Sequence, residues 1–210
     1  MFNDKFGLTQ AVLDGRKTMT RRIIKCPRTF RGEWVAGFNI HRSPSDKKIV
    51  GFPCMYDADE REFDMGEILP KYELGEVVAI AQSYRDSGYS PDSLDRHPKD
   101  LSVRGLMKDS AGWNNKMFVK SYACKHHIKI TNVKVERLQD ISDEDCLKEG
   151  IIHVSTFLGQ KIYHTPHVNG SYLSTNVAQE AFAYLIDKVS GKCTWERNPF
   201  VFVYEFVLVD

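Results

Sequence analysis

The chain has 210 residues, of which 42% are apolar and 27% charged, with a formal net charge of +1. This composition excludes a disordered or fibrous polymer, and the near-neutral sum excludes strong nucleic-acid attraction driven by total charge alone. The length allows one sizeable core and implies a single domain over 1–210, with insertions near 26–70, 85–112 and 152–172.

In chain order, "FGLTQAVLDG" predicts a short helix with Phe6, Leu8, Val12 and Leu13 inward and Gly15 stopping it. "TMTRRII" predicts a strand, with Thr18, Thr20 and Arg22 on one face and Met19, Arg21 and Ile23 on the other. Charge is segregated nearby. Residues 15–32 hold seven Lys or Arg and no acid, whereas "YDADEREFDMGE", residues 56–67, holds six acids and one arginine. Such a pattern permits a local anion site on a neutral protein. "EWVAGFNI" and "KKIVGFPCMY" predict two strands of a hairpin, and "ELGEVVAIAQSY" predicts a Gly75 turn feeding a strand from Val77 to Ala81. Residues 85–112, rich in Asp, Ser and Pro, read as loop.

"HHIKITNVKVERL" alternates over Ile128, Ile130, Val133 and Val135, which predicts a long strand from about Phe118 to Leu138, broken near Asn132. In "ISDEDCLKEG", Ser142 suits an N-cap, Asp143, Glu144 and Asp145 load the first turn, and Gly150 ends a short helix. Residues 151–173 read as a loop or irregular hairpin. Ala178, Ala181, Phe182, Leu185, Ile186 and Val189 then recur at helical spacing up to Gly191, and "NPFVFVYEFVLVD" predicts a strand inside a sheet. Without regular βαβ alternation the order implies α+β, with a curved or closed, mostly antiparallel sheet and flanking helices.

Five cysteines without a CxxC pair predict reduced thiols. Cys124, His126 and His127 lack the second pair that a zinc site needs, so no metal and no cofactor is expected. No run approaches the roughly 20 apolar residues of a membrane span, and "MFNDKFGLTQ" lacks the apolar core of a signal peptide. A cytoplasmic protein with no membrane partner is the expectation.

Four stretches, "AVLDGRKTMTRR", "YELGEVVAIAQSY", "ITNVKVERLQDISDEDCLKEGI" and "AFAYLIDKVSGKCTWERNPFVFVYEF", resemble in that order the segments of ASCH domain proteins of the phage and prophage type. The resemblance covers both ends and the centre of the chain and implies a PUA-like β-barrel that takes RNA or a modified nucleoside. Gly15, Lys17, Thr20 and Arg22 fit the family's short signature. Within the superfamily, small bacterial amidohydrolases that deacetylate N4-acetylcytidine use a lysine, a threonine and a glutamate. Similarity to them implies catalytic roles for Lys17, Thr20 and Glu149. The chain departs from the family at "AIAQSY", where Gln82 replaces an acid, and at "WNNKMFVKSY".

Physical chemistry sets conditions on that implied site. A threonine hydroxyl attacks only if a base takes its proton, and a lysine is a base only if its pKa falls. Arg16, Arg21 and Arg22 are nearby cations that would lower it and are candidate substrate contacts, as are Gln82 and Lys120. Trp113 is the candidate for stacking a base, while Trp195, between the last helix and last strand, reads as structural. Lys17 and Thr20 are three apart and diverge in a regular strand, so Lys17 must lie in the turn after Gly15 for them to converge. Two alternatives stay open: a noncatalytic RNA-binding module, and a phage-encoded protein that binds a host protein through the insertions.

Overall fold

A computed structural model describes residues 2, 4–89, 112–155, 159, 161–166 and 172–209. In chain order the elements are α1 (Leu8–Leu13), β1 (Met19–Ile23), β2 (Thr29–Phe30), β3 (Glu33–Trp34), β4 (Gly37–Asn39), β5 (Cys54–Tyr56), β6 (Glu62–Glu67), β7 (Val77–Ala79) and α2 (Tyr84–Ser87). They continue with β8 (His127–Arg137), α3 (Asp143–Lys148), β9 (Ile152–Ser155), β10 (Lys161–His164), β11 (Ser174–Thr175), α4 (Ala178–Ser190), α5 (Thr194–Arg197) and β12 (Phe200–Val209). All strand pairings among the described residues are antiparallel. The fold is mixed α and β, and its main sheet, in the order β1-β12-β8-β7, curls into a half-barrel.

The terminal apolar strand β12 is flanked by β1 and β8, and its alternating side chains divide the interior into two cores. Val201 and Val203 face the helices, where Met19, Leu138, Phe182 and Leu185 join them. Phe202, Tyr204 and Phe206 face the opposite side, with Ile80, Ile128, Ile130 and Val135. Each large apolar side chain so buried contributes roughly 1.5–3 kcal/mol. A register shift between Glu205 and Phe206 moves the pairing from Asn132 to Ile130, leaving Thr131 without a partner. This bulge lets Ile128 and Ile130 share a face with Val133 and Val135 despite the change from even to odd numbering. It is the break expected near Asn132.

Several boundaries differ from the sequence expectation. The long strand starts at His127 rather than Phe118, because Ser121–Ala123 forms a 3-10 turn. The region 26–70 builds a three-stranded sheet, β4-β5-β6, in which the acidic segment supplies a strand that a two-stranded hairpin lacked. Tyr84–Ser87 is a helix started by a Ser83–Asp86 capping box, not loop. The predicted loop at 90–111 lies outside the described residues, as do 156–158, 160 and 167–171 of the predicted hairpin, whose strands β9 and β10 do pair. Among the described residues, no helix is long and apolar enough to cross a membrane.

Candidate active site

Lys17 sits in the turn between α1 and β1, outside the strand. Gly15 has φ 71° there, a conformation that glycine adopts without a Cβ penalty. The Lys17 N–H donates to the Ala11 carbonyl at 2.9 Å, and the Thr18 N–H to the Lys148 carbonyl at 2.9 Å. These bonds tie the turn to α1 behind it and to the end of α3 beside it.

Helix α3 delivers the acid. Its N-cap Ser142 Oγ accepts from the Asp145 N–H at 3.1 Å, and three acids occupy the first turn, where the helix dipole favours them. Its end is a Schellman turn: Gly150 N–H donates to Leu147 O at 2.9 Å and Ile151 N–H to Cys146 O at 3.2 Å. Gly150 has φ 104°, and a Cβ there would stand 3.5 Å from Leu8 Cδ2 and 3.7 Å from Lys17 Cδ, in ordinary contact. The constraint is conformational rather than steric. Gly150→Ala therefore lowers stability by about 1–3 kcal/mol, measurable by urea denaturation.

Glu149 is the last residue of this turn, and its carboxylate is held by two cations. Lys17 Nζ donates to Glu149 Oε2 at 2.6 Å and to the Glu149 carbonyl at 2.8 Å. Arg21 Nη1 donates to Glu149 Oε1 at 3.1 Å. Arg21 also reaches Glu136 Oε1 on β8 through Nη2 at 2.5 Å and Nε at 3.0 Å, and Asp145 Oδ2 through Nη2 at 3.1 Å. Lys17, Arg21 and Glu149 are 2%, 5% and 4% exposed, so these contacts form away from bulk water and their loss is costly. An acid at a helix C-terminus is disfavoured by the dipole, and Lys17 offsets this while satisfying a carbonyl left free by the helix end.

Burial is the main influence on the Lys17 amine and pushes its pKa below the ordinary lysine value. Glu149 opposes the shift, whereas Arg22 and Arg21 add to it by repulsion. Arg21 behaves in the opposite way: burial works against its charge, yet Glu149 and Glu136 hold its pKa above the usual arginine value. Burial pushes the neighbouring Cys146 thiol up to about 12, so it stays protonated at neutral pH and offers no competing nucleophile.

Strand β1 is an edge of the main sheet. Phe206 N–H donates to Thr18 O and Ile24 N–H to Phe200 O, and Thr20 pairs with Tyr204 and Arg22 with Phe202 in the same register. Alternation in an antiparallel pair then directs the backbone of Met19, Arg21 and Ile23 away from β12, toward the open edge. A cleft of about 800 Å³ lies along that edge. Lys17, Thr20, Arg22 and Glu149 line it, and Phe182 and Leu185 of α4 form an apolar wall.

The structure thus brings Lys17, Thr20, Glu149 and Arg22 to one cleft and places Arg16, Gln82, Trp113 and Lys120 outside its lining. Arg21 also borders the cleft, but its guanidinium is committed to three acids and stacks 5.9 Å from the Phe182 ring centroid. It is a structural cation rather than a substrate contact. Arg16 is exposed and paired with Asp14 at 2.8 Å. Gln82 is buried and its Oε1 accepts from the Lys125 N–H at 2.6 Å, a bond that anchors the segment before β8. Trp113 is 4% exposed and packs with Tyr84 and Ala123, which leaves no face for a base to stack on. Lys120 is exposed and begins the 3-10 turn at Ser121–Ala123, not the cleft wall. Trp195 packs against Phe182 with ring centroids 6.1 Å apart. The sequence reading missed Glu136 and Asp145, which fix Arg21. It also missed the α4 wall, although the apolar periodicity of α4 marked those residues as buried.

Among the described residues all five cysteines are free, and no group of three or more His, Cys, Asp or Glu gathers as a metal site. Comparison with family models, with curated proteins and with solved structures finds no match for this chain.

Proposed function

We propose that the cleft binds a modified nucleoside and hydrolyses the amide of an N4-acylated cytosine. The observation that carries this reading is the buried Lys17 amine, held 2.6 Å from Glu149 on the wall of the cleft that Thr20 also lines. Burial that lowers the Lys17 pKa makes its amine easier to deprotonate than an ordinary lysine, and a threonine hydroxyl needs such a base. The resemblance to ASCH proteins and to the acetylcytidine amidohydrolases supports the same assignment, and the curled sheet is compatible with a PUA-like barrel. The cleft volume of about 800 Å³ falls in the range of small-molecule sites.

The chemistry then runs as follows. Lys17 accepts the proton of the Thr20 hydroxyl as Thr20 Oγ1 bonds to the acyl carbon. The Arg21 N–H, turned to the open edge, donates to the developing oxyanion. The C–N bond breaks, the proton passes from Lys17 to N4, and cytidine leaves with the acyl group held as a Thr20 ester. A water molecule, deprotonated by Lys17, cleaves the ester to a carboxylic acid and restores Thr20. Glu149 sets the position and charge balance of Lys17 throughout.

Incubation with N4-acetylcytidine tests the proposal. The expected result is stoichiometric cytidine and acetate, resolved by chromatography, and no product from Thr20→Ala. An unaltered protein that yields no cytidine overturns it. The second reading, a noncatalytic RNA-binding module, draws on Lys5, Arg22 and Lys25 along the cleft. It predicts instead that single-stranded RNA binds with an affinity that falls steeply as salt is added.

A further inference from the structure

Thr20 and Arg22 border a second space as well as the cleft. It is a chamber of about 60 Å³ between β1, β7, β8 and β12, and Phe2 lines both spaces. Val78, Ile80, Ile128 and Ile130 make its wall apolar. Tyr204 also lines it, with its hydroxyl accepting from the Lys71 N–H at 2.9 Å and the Tyr72 ring edge-on at 5.6 Å. Strand alternation explains the placement: Thr20 and Arg22 project to this face while Met19 and Arg21 project to the helices. Thr20 therefore stands at the junction of a large cleft of mixed polar and apolar lining and a small, mainly apolar chamber.

We propose, resting on the hydrolase reading above, that this chamber is the acyl subsite and that it restricts the substrate to short acyl groups. An acyl carbon attacked by Thr20 carries two substituents that must go to different places. The leaving nucleoside needs the large cleft; the acyl chain needs an apolar space on the other side of the hydroxyl. A water-sized group requires roughly 10–15 Å³ of such volume, so the chamber holds about four to six heavy atoms. Acetyl and propionyl groups fit, and an aromatic acyl group does not.

The test measures kcat/KM of the full chain for N4-acetyl-, N4-propionyl-, N4-butyryl- and N4-benzoylcytidine, then repeats it for Val78→Ile, which narrows the chamber, and Ile130→Val, which widens it. One methylene in an apolar pocket is worth tenfold or more. The unaltered protein is expected to hydrolyse the acetyl and propionyl compounds and to disfavour benzoyl by at least about tenfold. Val78→Ile lowers the propionyl-to-acetyl ratio about tenfold, and Ile130→Val raises the butyryl-to-acetyl ratio by a similar factor. Benzoyl hydrolysed as fast as acetyl, or ratios unmoved in both variants, makes the chamber a packing void and overturns the subsite while the hydrolase reading stands. Hydrolysis of none of the four compounds overturns both. If either variant fails to fold, the chain-length series on the unaltered protein decides alone.

Discussion

Replacing Glu149 with alanine lowers the unfolding free energy by about 3–5 kcal/mol, read from urea denaturation followed by circular dichroism. The carboxylate is the shared partner of Lys17 and Arg21, at 2.6 Å and 3.1 Å. Its removal leaves one buried cation with a helix-end carbonyl as its partner and a second with an unfilled Nη1 contact toward α3. A surface pair broken in the same way would cost at most about 1 kcal/mol, because water would replace the lost partner. Here the two cations are 2% and 5% exposed, so bulk water does not readily take the carboxylate's place. Glu149→Gln is expected to lose somewhat less, since one amide oxygen still accepts while the amide nitrogen meets a cationic donor. Removing Lys17 and Glu149 together, as Lys17→Met with Glu149→Leu, recovers part of the loss, because the pair's desolvation cost disappears with its attraction. A Glu149→Ala protein within 1 kcal/mol of the original would mean that the cluster is hydrated and the ion pairs contribute little.

Arg21 shows where reading along the chain reaches its limit. Its neighbourhood in sequence holds only cations, which invites an anion-binding role. Its partners Glu136, Asp145 and Glu149 lie 115 to 128 positions away, on β8 and α3. Charge pairing across that separation is set by tertiary packing, and no local pattern encodes it. Trp113 fails for a related reason: its polar surroundings in sequence are not its surroundings in space, where Tyr84 and Ala123 cover it. The elements that were legible are those whose signals are local. Ser142 and Gly150 bracket α3, the spacing of Ala181, Phe182, Leu185 and Ile186 defines the buried face of α4, and the apolar run from Phe200 to Tyr204 in β12 matches a stretch of strand covered on both sides. The parity change between Ile130 and Val133 carried the bulge. For the site, the placement of Lys17 in the turn followed from Gly15, but its meeting with Glu149 depended on how α3 docks against that turn.

Lys17→Arg is expected to reduce kcat for deacylation by about 10²–10⁴-fold while the protein stays folded. The substitution keeps a cation beside Glu149, so the ion pair and the capped carbonyl retain a donor. It removes the base, because a guanidinium does not give up a proton in the accessible pH range. The pH profile separates this from a structural effect. Burial lowers the Lys17 pKa, so the neutral amine becomes available below the ordinary lysine value of 10.5, and activity of the unaltered protein rises with pH as that amine loses its proton. The sign follows from the active form being the deprotonated one: kcat/KM climbs through the depressed pKa and levels off above it. In Lys17→Arg that limb should vanish, leaving a low and flat residual rate. A variant that keeps the rising limb would assign it to another group, and the proton relay would have to be moved from Lys17 even if the cleft remains the place where the nucleoside binds.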